Sequence, residues 1–481
     1  MPSRFFSTVP LLLAVLLFVG GQSSPLPKKM EPELLRQDLQ IAHKSLEDGH
    51  SGIYRYTPKP ELDAAFDAAS RRLDHPMNSM EFLRILAPAV AKIKCGHTSV
   101  RPPKSIDDAL DETFPEFPLD VVVLGDGVYV TREYLPDTQN LAGLRIQKIN
   151  GMPTKGILDV LLRGTPGDGD SRTARPSRIS DSFPWYLYVL GSMEAPFHVD
   201  FDDPKSGKTI SVELSGITFR ERQKVAAIRY PQDREPEDTA DLKFKENDHI
   251  ATLTVRGFYG KAEKEELSDY FDDAFKQIQL HKSATLIIDV RDNGGGRDFL
   301  GKKLLSFLVD TPFFYYNDLV YNGREFDFFR YADDAKPIPD EMVEKRTDGK
   351  FHDIKHANLG IQQPSQPHFG GKVIVLMNGG SFSTTCEFLS NLHDKKRGIF
   401  VGEEAGGGYY GNTSGPSVAI TLPNTKVRVR IPLRTYYLAV KDGQPNRSIL
   451  PDYGIAPTIG DLLSRKDPVM ERAIELARSG S

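Results

Sequence analysis

Cysteine is nearly absent from this 481-residue chain, which has only Cys95 and Cys386. That excludes a disulfide-dense scaffold and a four-cysteine zinc site. A charge excess is also missing: 61 Lys and Arg face 66 Asp and Glu, for a formal net charge of -5. No extended basic surface is implied, so nucleic acid is not an expected partner. Internal repeats and low-complexity tracts are lacking, and so is any long apolar run beyond the N-terminus. A spanning helix needs about 20 apolar residues, so no stable membrane insertion is expected.

The N-terminal run itself is too short to span. Arg4 gives a positive start, residues 9–19 are apolar apart from Pro10, and Gly20-Gly21-Gln22-Ser23-Ser24 is a small, polar exit. This is the pattern of a secretory signal peptide over residues 1–24, and it predicts export to the periplasm or the extracellular space. No cysteine stands at the exit to carry a lipid.

At roughly 100–200 residues per domain, the length predicts about two to four modules. Residues 30–105 read as a helical module, with Leu34, Leu39, Ile41 and Leu46 in one segment, Leu62, Phe66 and Ala69 in the next, and Phe82, Ile85, Leu86, Val90 and Ile93 in a third. It ends at Lys94-Cys95-Gly96-His97-Thr98, where Gly96 reads as a helix stop that leaves His97 just beyond. Residues 114–222 change to β-rich runs at 119–124, 127–131, 144–149, 197–201 and 209–214, with turns at Gly125-Asp126-Gly127 and Asn150-Gly151. Strand, Asn-Gly turn and an apolar helix at 157–162 together resemble a PDZ-type domain. Residues 164–182, rich in Gly, Asp, Arg and Ser, read as an inserted mobile loop. From residue 226 to 481, strands and helices alternate around a polar insertion at 311–367. Such alternation predicts a layered α/β domain with a largely parallel sheet.

Three features carry candidate chemistry. The run Leu286-Ile-Ile-Asp-Val-Arg-Asp-Asn-Gly-Gly-Gly296 is a buried-type strand entering three glycines, which lets backbone N–H groups face an oxyanion or a phosphate. No Gly-Lys-Ser/Thr follows, which argues against nucleotide. The run from Val373 to Glu387 is again strand, small-residue turn and helix start, with Ser383 at the turn. Its hydroxyl is either a nucleophile beside the Thr384 N–H or a lead-in to a Thr384–Glu387 capping box. His97 taken alone is an ordinary histidine after a helix. Three weaker features remain. His352 and His356 have an i, i+4 metal spacing, but their polar, charged surroundings read as solvated chain. Tyr409, Tyr410, Tyr436 and Tyr437 suit either a substrate cleft or packing around the sheet, and Arg428, Arg430 and Arg434 read as one polar strand face.

Taken in order, these elements resemble the C-terminal-processing (tail-specific) and tricorn-like serine peptidase family. The resemblance is carried by Gly96-His97-Thr98, by Asp289, Arg291, Asn293, Gly295 and Gly296, by Ser381-Phe382-Ser383-Thr384-Thr385-Cys386-Glu387, by Val401-Gly402-Glu403 and by Pro451-Asp452. It implies a crotonase-like (ClpP/crotonase-type) layered α/β core, polypeptide substrates cut near their C-termini, and no metal or other cofactor. It also implies Ser383 as nucleophile, His97 as general base, and the N–H groups of Thr384 and Gly295 as the oxyanion hole.

This chain departs from the family pattern at two points. The lysine base of the C-terminal-processing branch falls on Gly408, which leaves the histidine-containing branch. That branch has a serine before its histidine and a late glutamate to orient it. Here Gly96 replaces the serine and no glutamate lies between Glu404 and Glu471, so the orienting group is open. Both cysteines stand within three residues of a catalytic candidate, and their pairing depends on how the site assembles. Rival readings are non-catalytic binding of an apolar ligand or peptide on the same fold, as in the similar domains of interphotoreceptor retinoid-binding proteins, or an esterase using the same pair.

Overall fold

The computed structural model describes residues 28–479 apart from 136, 138, 204–205, 234–235 and 263–264, so the segment expected to be a signal peptide lies outside the described residues. Three helices open it, at Pro32–Gly49, Lys59–Arg71 and Ser79–Ala91. The third begins in a full capping box: the Asn78 side chain accepts from the Met80 and Glu81 N–H groups, and Glu81 accepts from the Asn78 N–H. Leu39, Leu46, Phe66, Phe82 and Leu86 bury the inner faces. The left-handed residue that ends this unit is Lys94 (φ 58°), not Gly96. Gly96 is required for a different reason: a Cβ there would meet the Phe382 ring at 2.6 Å.

The β-rich unit is an antiparallel sheet ordered Leu119–Leu124, Gly127–Glu133, Arg145–Ile149, Phe197–Asp202, Thr209–Leu214. Period-two burial of Leu119, Val121 and Val123 marks its inner face. Helix Thr154–Gly164 closes that face with Ile157, Leu158 and Leu161. Asn150 and Gly151 take positive φ (49° and 78°), as an Asn-Gly turn requires. The segment expected to be a mobile loop is instead packed. Thr165, Asp168 and Ser171 are buried, and residues Ala174–Asp181 form a helix. Its polar residues are spent on hydrogen bonds to the rest of the molecule, which composition does not reveal.

The third unit is built on a sheet ordered Tyr453–Gly454, Ile399–Gly402, Lys372–Met377, Thr285–Asp289, Ile250–Val255, Ala240–Lys245. All neighbours are parallel except the last pair, in line with the alternating pattern. Buried on both faces, it reads as continuous apolar runs. Ile287, Ile374 and Val401 pack on Val469 and Ala473 of helix Pro468–Arg478. Leu286, Ile288 and Val375 pack toward helices Leu267–Leu280 and Thr384–Asp394 on the other face.

The 311–367 segment is not a free-standing insertion. Its strands Tyr316–Tyr321, Val343–Lys345 and Phe351–Asp353 join Ser99–Arg101, Thr413–Thr421 and Arg428–Leu438 in a second sheet. Tyr316–Tyr321 pairs with the distant Arg428–Leu438, and the three-residue strands Phe351–Asp353 and Val343–Lys345, too brief to show a period in sequence, extend the sheet from it.

Asn293 ties these layers together at the sheet's carboxyl end. Fully buried, it donates from Nδ2 to the Val255 carbonyl (2.9 Å) and accepts the Gly295 N–H (2.9 Å), while its carbonyl accepts from the Phe382 N–H and Thr385 Oγ1. Asn293→Ala orphans two buried backbone groups, at about 1–3 kcal/mol each. Urea unfolding is expected to show a loss of roughly 2–4 kcal/mol.

Candidate active site

Ser383 sits at the first turn of helix Thr384–Asp394 with φ 57° and ψ -126°. A serine in that region costs on the order of 1–3 kcal/mol and persists only where its surroundings impose it. They do so here: Ser381 Oγ donates to Val290 O (2.7 Å), Gly406 N–H to Ser381 O (2.7 Å), and Phe382 N–H to Asn293 O (2.9 Å). The capping alternative does not apply. Ser383 makes no side-chain cap bond, and buried Glu387 accepts instead from Tyr316 Oη (2.6 Å) and Asn412 Nδ2 (2.8 Å). Thr384 is committed too, its Oγ1 donating to Gly296 O at 2.9 Å. Ser383 stands in the lining of the cleft with its hydroxyl free of any cap bond.

His97 arrives from the opposite end of the chain. Strand Ser99–Arg101 pairs antiparallel with Arg428–Leu438, Ser99 opposite Arg430, which fixes the residues just before it. The Gly96 peptide is gripped from both sides by the 164–182 segment: its N–H donates to Asp168 Oδ1 (2.6 Å), and its carbonyl accepts from Arg178 Nη1 (2.9 Å). The ring rests on Phe382 with centroids 4.6 Å apart, and Arg178 lies 4.5 Å from the same Phe382 ring. In this frame His97 Nε2 stands 3.0 Å from Ser383 Oγ, while buried Nδ1 has no hydrogen-bond partner among the described residues.

Burial, with Arg178, Arg430 and His50 nearby, lowers the His97 pKa from 6.5 to about 3. The ring is thus neutral, and able to accept a proton, well below an ordinary histidine's range. The unfolded chain takes up the proton first as pH falls, so the stability held by neutral His97 is complete above pH 6.5 and lost toward pH 3.

Gly295 (φ +100°) lies against Ser383, where a Cβ would meet the serine Cβ at 2.7 Å. Its N–H does not face an oxyanion as expected, because the Asn293 side chain folds back into the glycine turn and takes it. The Thr384 N–H, first in its helix, has no intrahelical acceptor and lies at the positive end of the dipole. At Gly408, where a lysine base was sought, a Cβ would collide with the hydroxyl of Tyr56. Cys95 and Cys386 are both free and buried, and burial pushes their thiols up to about 11 and about 12.

The cleft around Ser383 encloses about 680 Å³ and is lined by Arg178, Arg297, Asp298, His356, Arg430 and Arg434 among others. His352 and His356 do not converge on a common point. His352 contacts Asp318 (2.7 Å) and Asp348 (3.1 Å), and His356 Nε2 contacts Asp298 (3.0 Å). His356 and Asp298 belong to the cleft: Asp298 opens the helix after the glycine turn, whereas His356 follows a strand of the second sheet, which the sequence did not disclose. Of the tyrosines, Tyr436 lines the cleft and Tyr409 packs on His393. Arg430 and Arg434 line the cleft as well, whereas Arg428 contacts Asp107 outside it.

Fold and family together define the class: the protein is a serine peptidase. Residues 249–459 match peptidase family S41, and the chain carries that family's domain. The match includes Ser383 but not His97. Three solved structures resemble most of the chain. Mature CPAF aligns at TM-score 0.60 and 15% identity, over 93% of this chain and 97% of that one. CPAF complexed with lactacystin gives 0.59 and 14%, over 93% and 98%. A CPAF mutant gives 0.63 and 13%, over 93% and 97%. At these identities the likeness is one of fold. No curated protein sequence matches the chain significantly.

Two outcomes follow from this geometry. The rate at which a fluorophosphonate labels the protein is expected to show no decline as pH falls through 6.5, because the histidine is already neutral there. Gly96→Ala, whose Cβ would displace the Phe382 ring under His97, is expected to lower that rate at least about tenfold, roughly the effect of 1.4 kcal/mol. Circular dichroism should show the fold retained.

Proposed function

We propose that the protein is an exported serine endopeptidase that hydrolyses polypeptides near their C-termini through a Ser383–His97 acyl-enzyme mechanism. The observation that carries this reading is the 3.0 Å approach of His97 Nε2 to a serine hydroxyl raised at a strained helix start. Ser383 Oγ attacks the scissile carbonyl as His97 takes its proton, and the imidazolium then protonates the leaving amine. Water repeats the sequence on the acyl-enzyme. The Thr384 N–H receives the developing oxyanion, a role typically worth about 2.7–4 kcal/mol.

The cleft's charged lining suits a peptide backbone and side chains better than an apolar ligand. A second cavity of about 740 Å³ shares Arg178 and Arg430 with the cleft and extends along Trp185 and Arg222, giving room for an extended chain. In this reading the antiparallel unit is PDZ-like and docks a peptide tail by strand addition, and the parallel-sheet unit is the crotonase-like catalytic core. The N-terminal segment directs export. Among the described residues no helix is long and apolar enough to cross a membrane.

Fluorophosphonate labelling with digestion of an unfolded protein tests the proposal, and lactacystin, bound in a CPAF structure, is a second probe. Ser383→Ala is expected to abolish label and proteolysis, and His97→Gln to slow both by about 10³-fold or more. Proteolysis surviving in Ser383→Ala would reject the mechanism. Simple esters cleaved while unfolded protein stays intact would turn the assignment to an esterase.

A further inference from the structure

We propose that Asp168 is the positioning residue for His97, accepting the Nδ1–H so that Nε2 is left free to take the Ser383 proton. This deepens the Ser383–His97 reading and rests on it. A neutral imidazole carries one N–H and one bare nitrogen. Nε2 can serve as base only in the tautomer whose proton is on Nδ1, and that atom is buried without a partner. Some acceptor must hold the ring in that form when it works.

Asp168 fits on three grounds. One of its carboxylate oxygens lies within 4.8 Å of a ring nitrogen of His97, in a buried group completed by Cys95. It already grips the neighbouring Gly96 N–H at 2.6 Å through Oδ1, so its position is tied to the histidine's own backbone. Oδ2 has only a long contact, 3.4 Å from the Gly408 N–H, which leaves it capacity to accept.

The two acids that line the cleft are already engaged. Asp298 pairs with His356, and Glu387 accepts from Tyr316 and Asn412. Cys95 Sγ donates to Thr413 O at 3.3 Å. The remaining gap closes by a small side-chain shift, of the kind by which catalytic hydrogen bonds tighten once substrate is bound. During acyl transfer the Nδ1 proton stays on the ring, and the carboxylate offsets the imidazolium charge against Arg178 and Arg430, which oppose it. Asp168 would thus fill the place of the late glutamate from a different part of the chain.

The test uses the full chain with ¹⁵N-labelled imidazoles, the His97 signals being assigned by their loss in His97→Gln. The wild-type ring is expected as the Nδ1–H tautomer. Asp168→Asn should shift it toward Nε2–H and slow fluorophosphonate labelling by about 10²–10⁴-fold, with partial recovery in Asp168→Glu. A wild-type Nε2–H tautomer overturns the proposal even if Asp168→Asn fails to fold. So does an Asp168→Asn protein with unchanged tautomer and rate. Label retained by Ser383→Ala would instead reject the underlying Ser383–His97 reading, a result separate from the tautomer.

Discussion

One hydrogen bond, His97 Nε2 to Ser383 Oγ, spans 286 positions of sequence, and most of the architecture serves to make it. The serine end is set by the parallel sheet: strands Thr285–Asp289 and Lys372–Met377 run side by side, so their two turns meet at one edge. Asn293 locks them there. The histidine end is set by a three-residue strand added to the second sheet and by the two-sided grip on the Gly96 peptide. The side chains that make this grip come from the β-rich half of the chain, so the site is complete only when all the units are assembled.

Electrostatics reinforce the geometry. Burial keeps His97 neutral, which suits a proton acceptor but makes its charged form costly. Two arginines nearby raise that cost further. A buried acid beside the ring is the physical remedy, and Asp168 is placed to supply it. The lysine solution is closed here for a steric reason: Tyr56 occupies the room that a side chain at position 408 would take.

Much of this was legible in the sequence because it depends on local periodicity and turns. The strands of the β-rich unit were read to within about two residues, since Val, Ile and Leu alternate and Gly125 and Asn150-Gly151 punctuate them. The parallel sheet showed as apolar runs, and Ser383 and His97 showed through their flanking glycines. What escaped was non-local. The 311–367 segment gave no period because two of its strands in the second sheet are three residues long, and the third is held by the distant Arg428–Leu438. The 164–182 segment looked mobile because its polar side chains are satisfied elsewhere in the fold, and Asp168 was therefore missed. Gly295 was assigned an oxyanion role on its position alone, whereas Asn293 had already taken its N–H. Gly96 was correctly marked as special for the wrong reason: it leaves room for Phe382 rather than turning the chain.

The central claim is that Ser383 becomes acylated. Mixing the protein with a peptide ester, quenching in acid within the first turnover and mapping the trapped adduct by mass spectrometry tests it directly. The acyl group is predicted on Ser383, in the peptide that also contains Thr384. An adduct on Thr384 or any other residue, or turnover with no adduct in a quench fast enough to catch one, would contradict the account.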